Sequence, residues 1–424
     1  MNTDKPASTR ALIAWSFYDW ANSAFPTTVI SFVFAAYFAK AVAPTEALGQ
    51  VWWSWGVGVS ALVVAVIAPV LGAIADQDGR RKPWIAGFTL LCIAATASLW
   101  FIRPEAELAI MALVLVGLAN VGFEMSSVFY NAMLPSLAPA DKLGRWSGWA
   151  WGIGYAGGLA MLAICLFGFV QAETPLFGVG KEDAANVRAT SIAVAIWFAV
   201  FSLPMFLMTP DSPGQGRPMA DSVRQGLAQL IGTFSRVRDY RDIAIFLLAR
   251  VLYIDGLTTL FVVGAIFAGT VFGLTFEEII LFGIAINVFS GVGAALFGWV
   301  DDLIGPKPTI LISIAGLVLL ILGLLMVESK TLFWAFGLPL GLFVGPIQAA
   351  SRTLMAQLAP PELRGEMFGL FAFSGKATAF AGPILLGAVT AITGSQRIGM
   401  GVIVAMLIGG GLLLATVRMP SRTS

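Results

Sequence analysis

Long apolar stretches alternate with short polar, charged or Gly/Pro-rich breaks along the whole chain. A helix that crosses a bilayer needs roughly 20 largely apolar residues. Twelve segments meet that pattern: 14–38, 52–75, 84–102, 107–133, 146–170, 187–209, 241–268, 278–300, 308–327, 331–358, 366–392 and 397–417. Charges interrupt the segments that hold Glu124, Arg250, Arg352 and Lys376. Between the sixth and seventh lies TPDSPGQGRPMADSVRQGLAQLIGTFSRVRDYRD, first rich in Pro and Gly and then basic and amphipathic, as expected of a linker.

The pattern also repeats. FVFAAYFA at Phe32 returns as FVVGAIFA at Phe261, and Gly72-x-x-x-Asp76-x-x-Gly79 returns as Gly298-x-x-x-Asp302-x-x-Gly305. Leu137-Ala-Pro, followed by Gly144 and Gly148, returns as Leu358-Ala-Pro with Gly365 and Gly369. Three echoes in one order predict an all-α integral membrane fold, twelve transmembrane helices in two six-helix parallel repeats. The expected divisions are a first half over 1–209, a cytoplasmic linker over 210–240 and a second half over 241–424. Such an architecture places a substrate site near the bilayer midplane between the halves, with alternating access by rocking.

Composition agrees with a membrane setting. Of 424 residues 58% are hydrophobic and 12% charged, with mean hydropathy +0.86, against roughly 25% charged in a soluble domain. The net charge of +1 gives no basic or acidic excess, so nucleic acid is not an expected partner. The N-terminal MNTDKPASTR lacks an apolar core and a small-residue cleavage site, so the first segment reads as a retained span. Cys92 and Cys165 lie in apolar runs without C-x-x-C spacing and read as inert thiols. No histidine is present, so proton transfer falls to carboxylates and His-based metal ligation is excluded.

The cations set the orientation. Lys5, Arg10, Arg80, Arg81, Lys82, Lys142, Arg145, Arg217, Arg224, Arg236, Arg238, Arg241, Lys307, Arg364, Arg418 and Arg422 fall on one side. Lys40, Arg103, Lys181, Arg188, Lys330 and Arg397 fall on the other. The positive-inside rule then puts both termini in the cytoplasm, and the expected location is a bacterial inner membrane. Trp15, Trp52, Trp53, Trp55, Trp100 and Trp334, near segment ends, read as an interfacial aromatic belt.

GAIADQDGRRKP, residues 72–83, resembles the loop between the second and third helices of major facilitator superfamily transporters, with Gly72, Asp76, Gly79, Arg80 and Arg81 in matching places. That resemblance implies a cytoplasmic gate. An acid at a helix end can accept from exposed N–H groups of a neighbouring helix and pair with an arginine. The second copy keeps Asp302 and Gly305 but has Pro306-Lys307 where the first has two arginines. YDWANSAF, YNAMLPSLAP with SGWAWGIGYAGG, and QAASRTLMAQLAPPE with FGLFAFSGKATAFAGP resemble the autophagy-related vacuole effluxers and their bacterial relatives. The resemblance implies secondary transport, which in the eukaryotic branch is release of amino acids from the vacuole. The fifth segment also faintly resembles the superfamily's efflux-antiporter motif, with Gly154 where that motif has proline.

Ionisable residues inside spans are rare and functional by default. Six qualify: Asp19, Glu124, Arg250, Asp255, Arg352 and Lys376. Structural ion pairing among them is the alternative to a transport role. Asp19, Asn22, Ser23 and Pro26 form one stripe, and Pro26 removes the donor that would reach the Asn22 carbonyl. Asn120, Glu124, Ser127 and Asn131 form a second stripe, expected to line a water-filled path. Arg250 and Asp255 lie roughly 140° apart around a helix and are not expected to pair. Gln348 and Arg352 share a face, and Arg352 can hold a carboxylate in bidentate fashion. Lys376, among small residues, can bind an anion or exchange a proton.

These readings predict a monomeric carrier of a small polar metabolite, with amino acids the leading class and a proton, or else sodium, as the coupling ion. Asp19, Glu124 and Asp255 are candidates for proton or ammonium binding, and Arg250, Arg352 and Lys376 for a substrate carboxylate or for neutralising the empty site. Acids mainly in one half and bases in the other suit a zwitterion. No cofactor, metal or enzymatic activity is expected, since G-x-S-x-G and a polar catalytic domain are missing. A cation-coupled glycoside symporter and a non-transporting scaffold or receptor are the alternatives.

Overall fold

A computed structural model describes residues 7–236 and 238–419, so Lys5 and Arg422 lie outside the described residues. Among the described residues, twelve helices are long and apolar enough to cross a membrane. They are Thr9–Val42, Glu46–Asp78, Lys82–Phe101, Ala106–Leu137, Ala140–Val170, Glu182–Met208, Arg241–Phe272, Glu277–Ile304, Pro306–Met326, Lys330–Leu358, Pro361–Thr393 and Gln396–Ala415. All twelve predicted segments are present, most of them longer by several residues. Polar caps account for much of the extension: Ser8 accepts from the Ala11 N–H at 3.3 Å, and Thr275 and Glu278 form a reciprocal capping box. Gly273 (φ 64°) ends the seventh span in a left-handed cap.

Several spans are irregular where the sequence makes them so. α-Helical geometry ends at Asn22, and wider π turns run from Phe25 to Phe32 around Pro26. A residue without an N–H cannot continue the α ladder, and a local π turn absorbs the break. The eleventh span consists of two helices, Arg364–Lys376 and Ala381–Thr393, separated by a turn over 377–380.

The chain divides into two compact units. The first comprises Met1–Ala68, Asp78–Leu137 and Ile153–Arg217; within it the first span packs on the sixth, and the third on the fourth and sixth. The second comprises Pro69–Gln77, Ala138–Gly152 and Pro218–Ser424. Within it the seventh span packs on the eleventh and twelfth, and the tenth on the eighth and ninth. The second unit thus includes the end of the second span and the start of the fifth. A linker helix, Met219–Ser235, also belongs to it.

The outward residues are largely apolar: Val66, Phe167, Leu319 and Ile392 are among many large hydrophobic side chains left exposed, as a lipid-facing surface requires. Trp15 departs from the expected belt. It is fully buried, stacks on Tyr130 with ring centroids 4.5 Å apart and donates to the Tyr130 carbonyl oxygen at 3.3 Å. Trp55, by contrast, is exposed.

Candidate functional site

The signature carboxylate Asp76 sits near the end of the second span, where glycine lets two backbones touch. A Cβ on Gly72 would collide with the Gly365 carbonyl, and one on Gly365 would lie 2.6 Å from the Gly72 carbonyl oxygen. That approach brings Asp76 to the first turn of Arg364–Lys376. Its Oδ1 accepts from the Gly365 N–H at 2.8 Å and its Oδ2 from the Glu366 N–H at 2.9 Å. First-turn N–H groups have no partner within their own helix, and they carry the positive end of its dipole.

The second copy is built on the same plan. Asp302 Oδ1 accepts from the Arg145 N–H at 3.1 Å, at the start of Leu143–Cys165, and Arg145 Nε lies 3.3 Å from Asp302 Oδ2. Each repeated aspartate therefore caps a helix that begins at the repeated LAP segment. Gly305 (φ 93°) closes the Asp302 helix, and Gly79 (φ 85°) occupies the corresponding turn of the first copy.

The two arginines of the signature separate. Arg80 is exposed and pairs with Asp78 at 2.8 Å, which raises its pKa above the ordinary value. Arg81 is buried, and its N–H, with that of Lys82, donates to the Asp211 carboxylate at 3.0 and 3.1 Å. Asp211 caps the third span, a role not read in the sequence.

Among the membrane charges, Arg250 and Asp255 address the interrupted eleventh span. Arg250 Nη1 donates to the Phe371 carbonyl at 2.6 Å and the Ser374 hydroxyl at 2.8 Å, near the C-terminal end of the first half-helix. Asp255 Oδ2 accepts from the Gly382 N–H at 3.1 Å, at the N-terminal end of the second. A cation at a helix C-terminus and an anion at an N-terminus both oppose the dipole, so one helix compensates both ends of the break. Asp255 is 3% exposed, and its Oδ1 has no hydrogen-bond partner among the described residues. Lys376 is half-buried at the end of the first half-helix.

Arg352 is 2% exposed and takes a protein partner where a ligand carboxylate was the expectation. Its Nε donates to Ser147 Oγ at 2.9 Å and its Nη2 to the Ser147 carbonyl at 2.7 Å, with the guanidinium 5.9 Å from the Trp151 ring. Ser147 Oγ in turn donates to the Ala349 carbonyl at 2.8 Å. Gln348, one turn before Arg352, is half-buried.

In the first unit the polar stripe of the first span is partly closed by the fifth. A Cβ on Gly154 would lie 2.9 Å from Ser23 Oγ and 3.3 Å from Asp19 Cβ. Asp19 is half-buried and Asn22 buried. Tyr18 turns away, its hydroxyl 2.6 Å from Thr89 Oγ1. Along the fourth span, Glu124 and Asn131 are half-buried, but Asn120 is buried and donates to Ser60 Oγ at 2.9 Å. That end of the stripe is a helix–helix contact. Cys92 and Cys165 are free and buried.

The family model described as "Vacuole effluxer Atg22 like" matches residues 54–423. The chain belongs to the Atg22-like family. An uncharacterized MFS-type transporter, YxiO of Bacillus subtilis, is 26% identical over 416 residues, covering 97% of this chain and 95% of the relative. Autophagy-related protein 22 of Cryptococcus neoformans is 25% identical over 276 residues, covering 60% of this chain; the match spans about half (47%) of the fungal protein. Among solved structures, the transporter FucP in the outward conformation superposes with TM-score 0.74 at 14% identity, covering 97% of this chain and 99% of that one. The proton:xylose symporter XylE superposes with TM-score 0.71 at 14% identity, covering 97% and 95%. At that identity the superpositions establish the fold alone. This Atg22-like chain is a multi-pass membrane transporter of the major facilitator type.

Proposed function

We propose that the protein exports or exchanges a small polar metabolite, with amino acids the leading class, in a proton-linked alternating-access cycle. The observation that carries the proton linkage is Asp255, a buried carboxylate with one oxygen on a half-helix N-terminus and the other without a donor among the described residues. A proton on that second oxygen removes the charge that compensates the dipole, so protonation and the seating of Ala381–Thr393 are linked. In a chain without histidine, carboxylates are the groups suited to this step. The amino-acid class draws its support from the family and from the acids and bases within the spans.

The Asp76 and Asp302 caps act as the gate. They fasten one end of the second span to the eleventh and one end of the eighth to the fifth, and alternating access requires that they break. Arg352 and Arg250, committed to Ser147 and to the broken helix, belong with this fastening machinery and not with substrate binding. The monomer, the location in a bacterial cytoplasmic membrane and cytoplasmic termini are part of the same proposal.

The test uses proteoliposomes loaded with an unlabelled cell-metabolite mixture, with efflux read by mass spectrometry under an inward proton gradient. Amino acids leave from vesicles that contain protein and not from empty ones. Asp255→Asn keeps exchange of the same substrates but loses the response to the gradient. Efflux confined to sugars, or driven by sodium alone, would overturn the substrate class or the coupling ion.

A further inference from the structure

The linker helix Met219–Ser235 has three distinct faces. Ser222, Gly226 and Thr233 turn toward the second unit and are buried. A Cβ on Gly226 would lie 2.8 Å from Ile74 Cα, so the helix lies directly on the last turns of the second span. Gln229 fastens it there: its Oε1 accepts from Gln77 Nε2 at 2.6 Å, and its Nε2 donates to Glu366 Oε2 at 2.7 Å. The helix is therefore anchored at the height where spans end.

A second face is apolar and uncovered in the chain itself. Met219, Val223, Leu227 and Ile231 recur every fourth residue and are 63%, 36%, 42% and 70% exposed. At about 100° per residue this stripe is centred about 100° around the helix from the docked residues. The remaining face holds Asp221, Arg224, Gln225 and Ala228. Docked, apolar and polar faces in succession are what a helix needs to lie in a membrane interface, beside a bundle, with its apolar stripe in the acyl boundary.

Charge identifies the lipid. Residues 209–242 carry Arg217, Arg224, Arg236, Arg238 and Arg241 against Asp211, Asp221, Asp239 and Asp242, and of these acids Asp211 and Asp242 are already held on backbone N–H groups. Basic residues flanking an apolar stripe favour an anionic leaflet, with about 1 kcal/mol per cation near the surface. A water-facing role would leave four large apolar side chains in solvent. We infer that Met219–Ser235 is an interfacial helix whose apolar stripe is seated in an anionic lipid leaflet, held to the gate through Gln77, Gln229 and Glu366. The inference rests on the membrane placement of the spans and is independent of the substrate.

The test places a nitroxide on Leu227→Cys and, separately, on Ala228→Cys in the full chain, where the native Cys92 and Cys165 are buried. Collision rates with oxygen and with a water-soluble nickel chelate give depth in vesicles of phosphatidylcholine mixed with phosphatidylglycerol. The account predicts high oxygen and low nickel access at 227, the reverse at 228, and a shallower 227 label in pure phosphatidylcholine or with Arg224→Gln and Arg236→Gln combined. Equal nickel access at both positions would overturn the inference, as would protection of 227 from both reagents, which signals a protein partner or a second copy. Depth at 227 that ignores the anionic lipid and both arginines would overturn the charge recognition.

Discussion

Asp76 and Asp302 are copies of one device, and they differ in how each is secured. Asp76 uses both oxygens on two successive backbone N–H groups, at 2.8 and 2.9 Å, with Gly72 against Gly365 to bring the backbones together. Asp302 accepts from the Arg145 N–H at the longer distance of 3.1 Å, with Arg145 Nε 3.3 Å from its other oxygen. Both copies depend on glycines that let backbones approach, more tightly in the first: a Cβ on Gly72 would collide with the Gly365 carbonyl, whereas one on Gly298 would lie 3.1 Å from the Gly144 carbonyl oxygen. Duplication preserved the geometry of an acid on a helix N-terminus and let the closeness of the two backbones diverge.

The sharpest way to break the first copy is steric. Gly72→Val drives its side chain into the Gly365 carbonyl, so the contact cannot form; substrate efflux from proteoliposomes is expected to fall to near background while the protein still folds and inserts. Asp76→Asn is milder, because an amide keeps one acceptor but loses the charge. Losing charge-assisted bonds of about 1.5–3 kcal/mol shifts the gate equilibrium roughly 10- to 100-fold toward the released state, measurable as faster labelling of groups buried at the contact.

Asp302→Asn is expected to shift the same equilibrium less than Asp76→Asn, by under about 10-fold, since its bond to the Arg145 N–H, at 3.1 Å, is longer than either bond that Asp76 accepts. Raising salt should reproduce part of that effect in the parent and little in Asp302→Asn, because screening acts on the side-chain pair. Equal effects of the two substitutions would remove the distinction between the copies. Smallest of all is Arg80→Gln. Arg80 is exposed, and Asp78 raises its pKa further, so it stays charged across the working pH range and its contribution would be lost only as pH rises through that raised value. Flux should be unchanged and show no new pH dependence.

Much of this organisation is legible from residues alone. The twelve spans follow from apolar length, and the Asp76 turn from its spacing and its echo at Asp302. What escapes is which atoms meet. Ser147 lies far from Arg352 in sequence, and a serine in a Trp/Gly-rich run carries no sign that it will hold a guanidinium. Charge pattern suggested ligands for Arg250 and Arg352 because a single sequence shows the cost of a buried charge but not the partner that offsets it. The break in the eleventh span is not read from apolar length, which makes 366–392 one segment, although Gly375, Gly382 and Pro383 flank it and a broken helix calls for a cation and an anion nearby. Asn120 shows the limit of periodicity, since a shared face does not fix a shared environment, and Ser60 claims it.

The central claim is that the Asp76 cap opens during transport. The most direct measurement introduces Ala73→Cys, a position fully buried beside the cap, and follows its reaction with a membrane-impermeant maleimide applied from the linker side, against the parent that keeps only Cys92 and Cys165. The account predicts slow labelling at rest, acceleration by transported substrate, and fast labelling without substrate once Asp76→Asn is added. Labelling at one rate in all three conditions would contradict it.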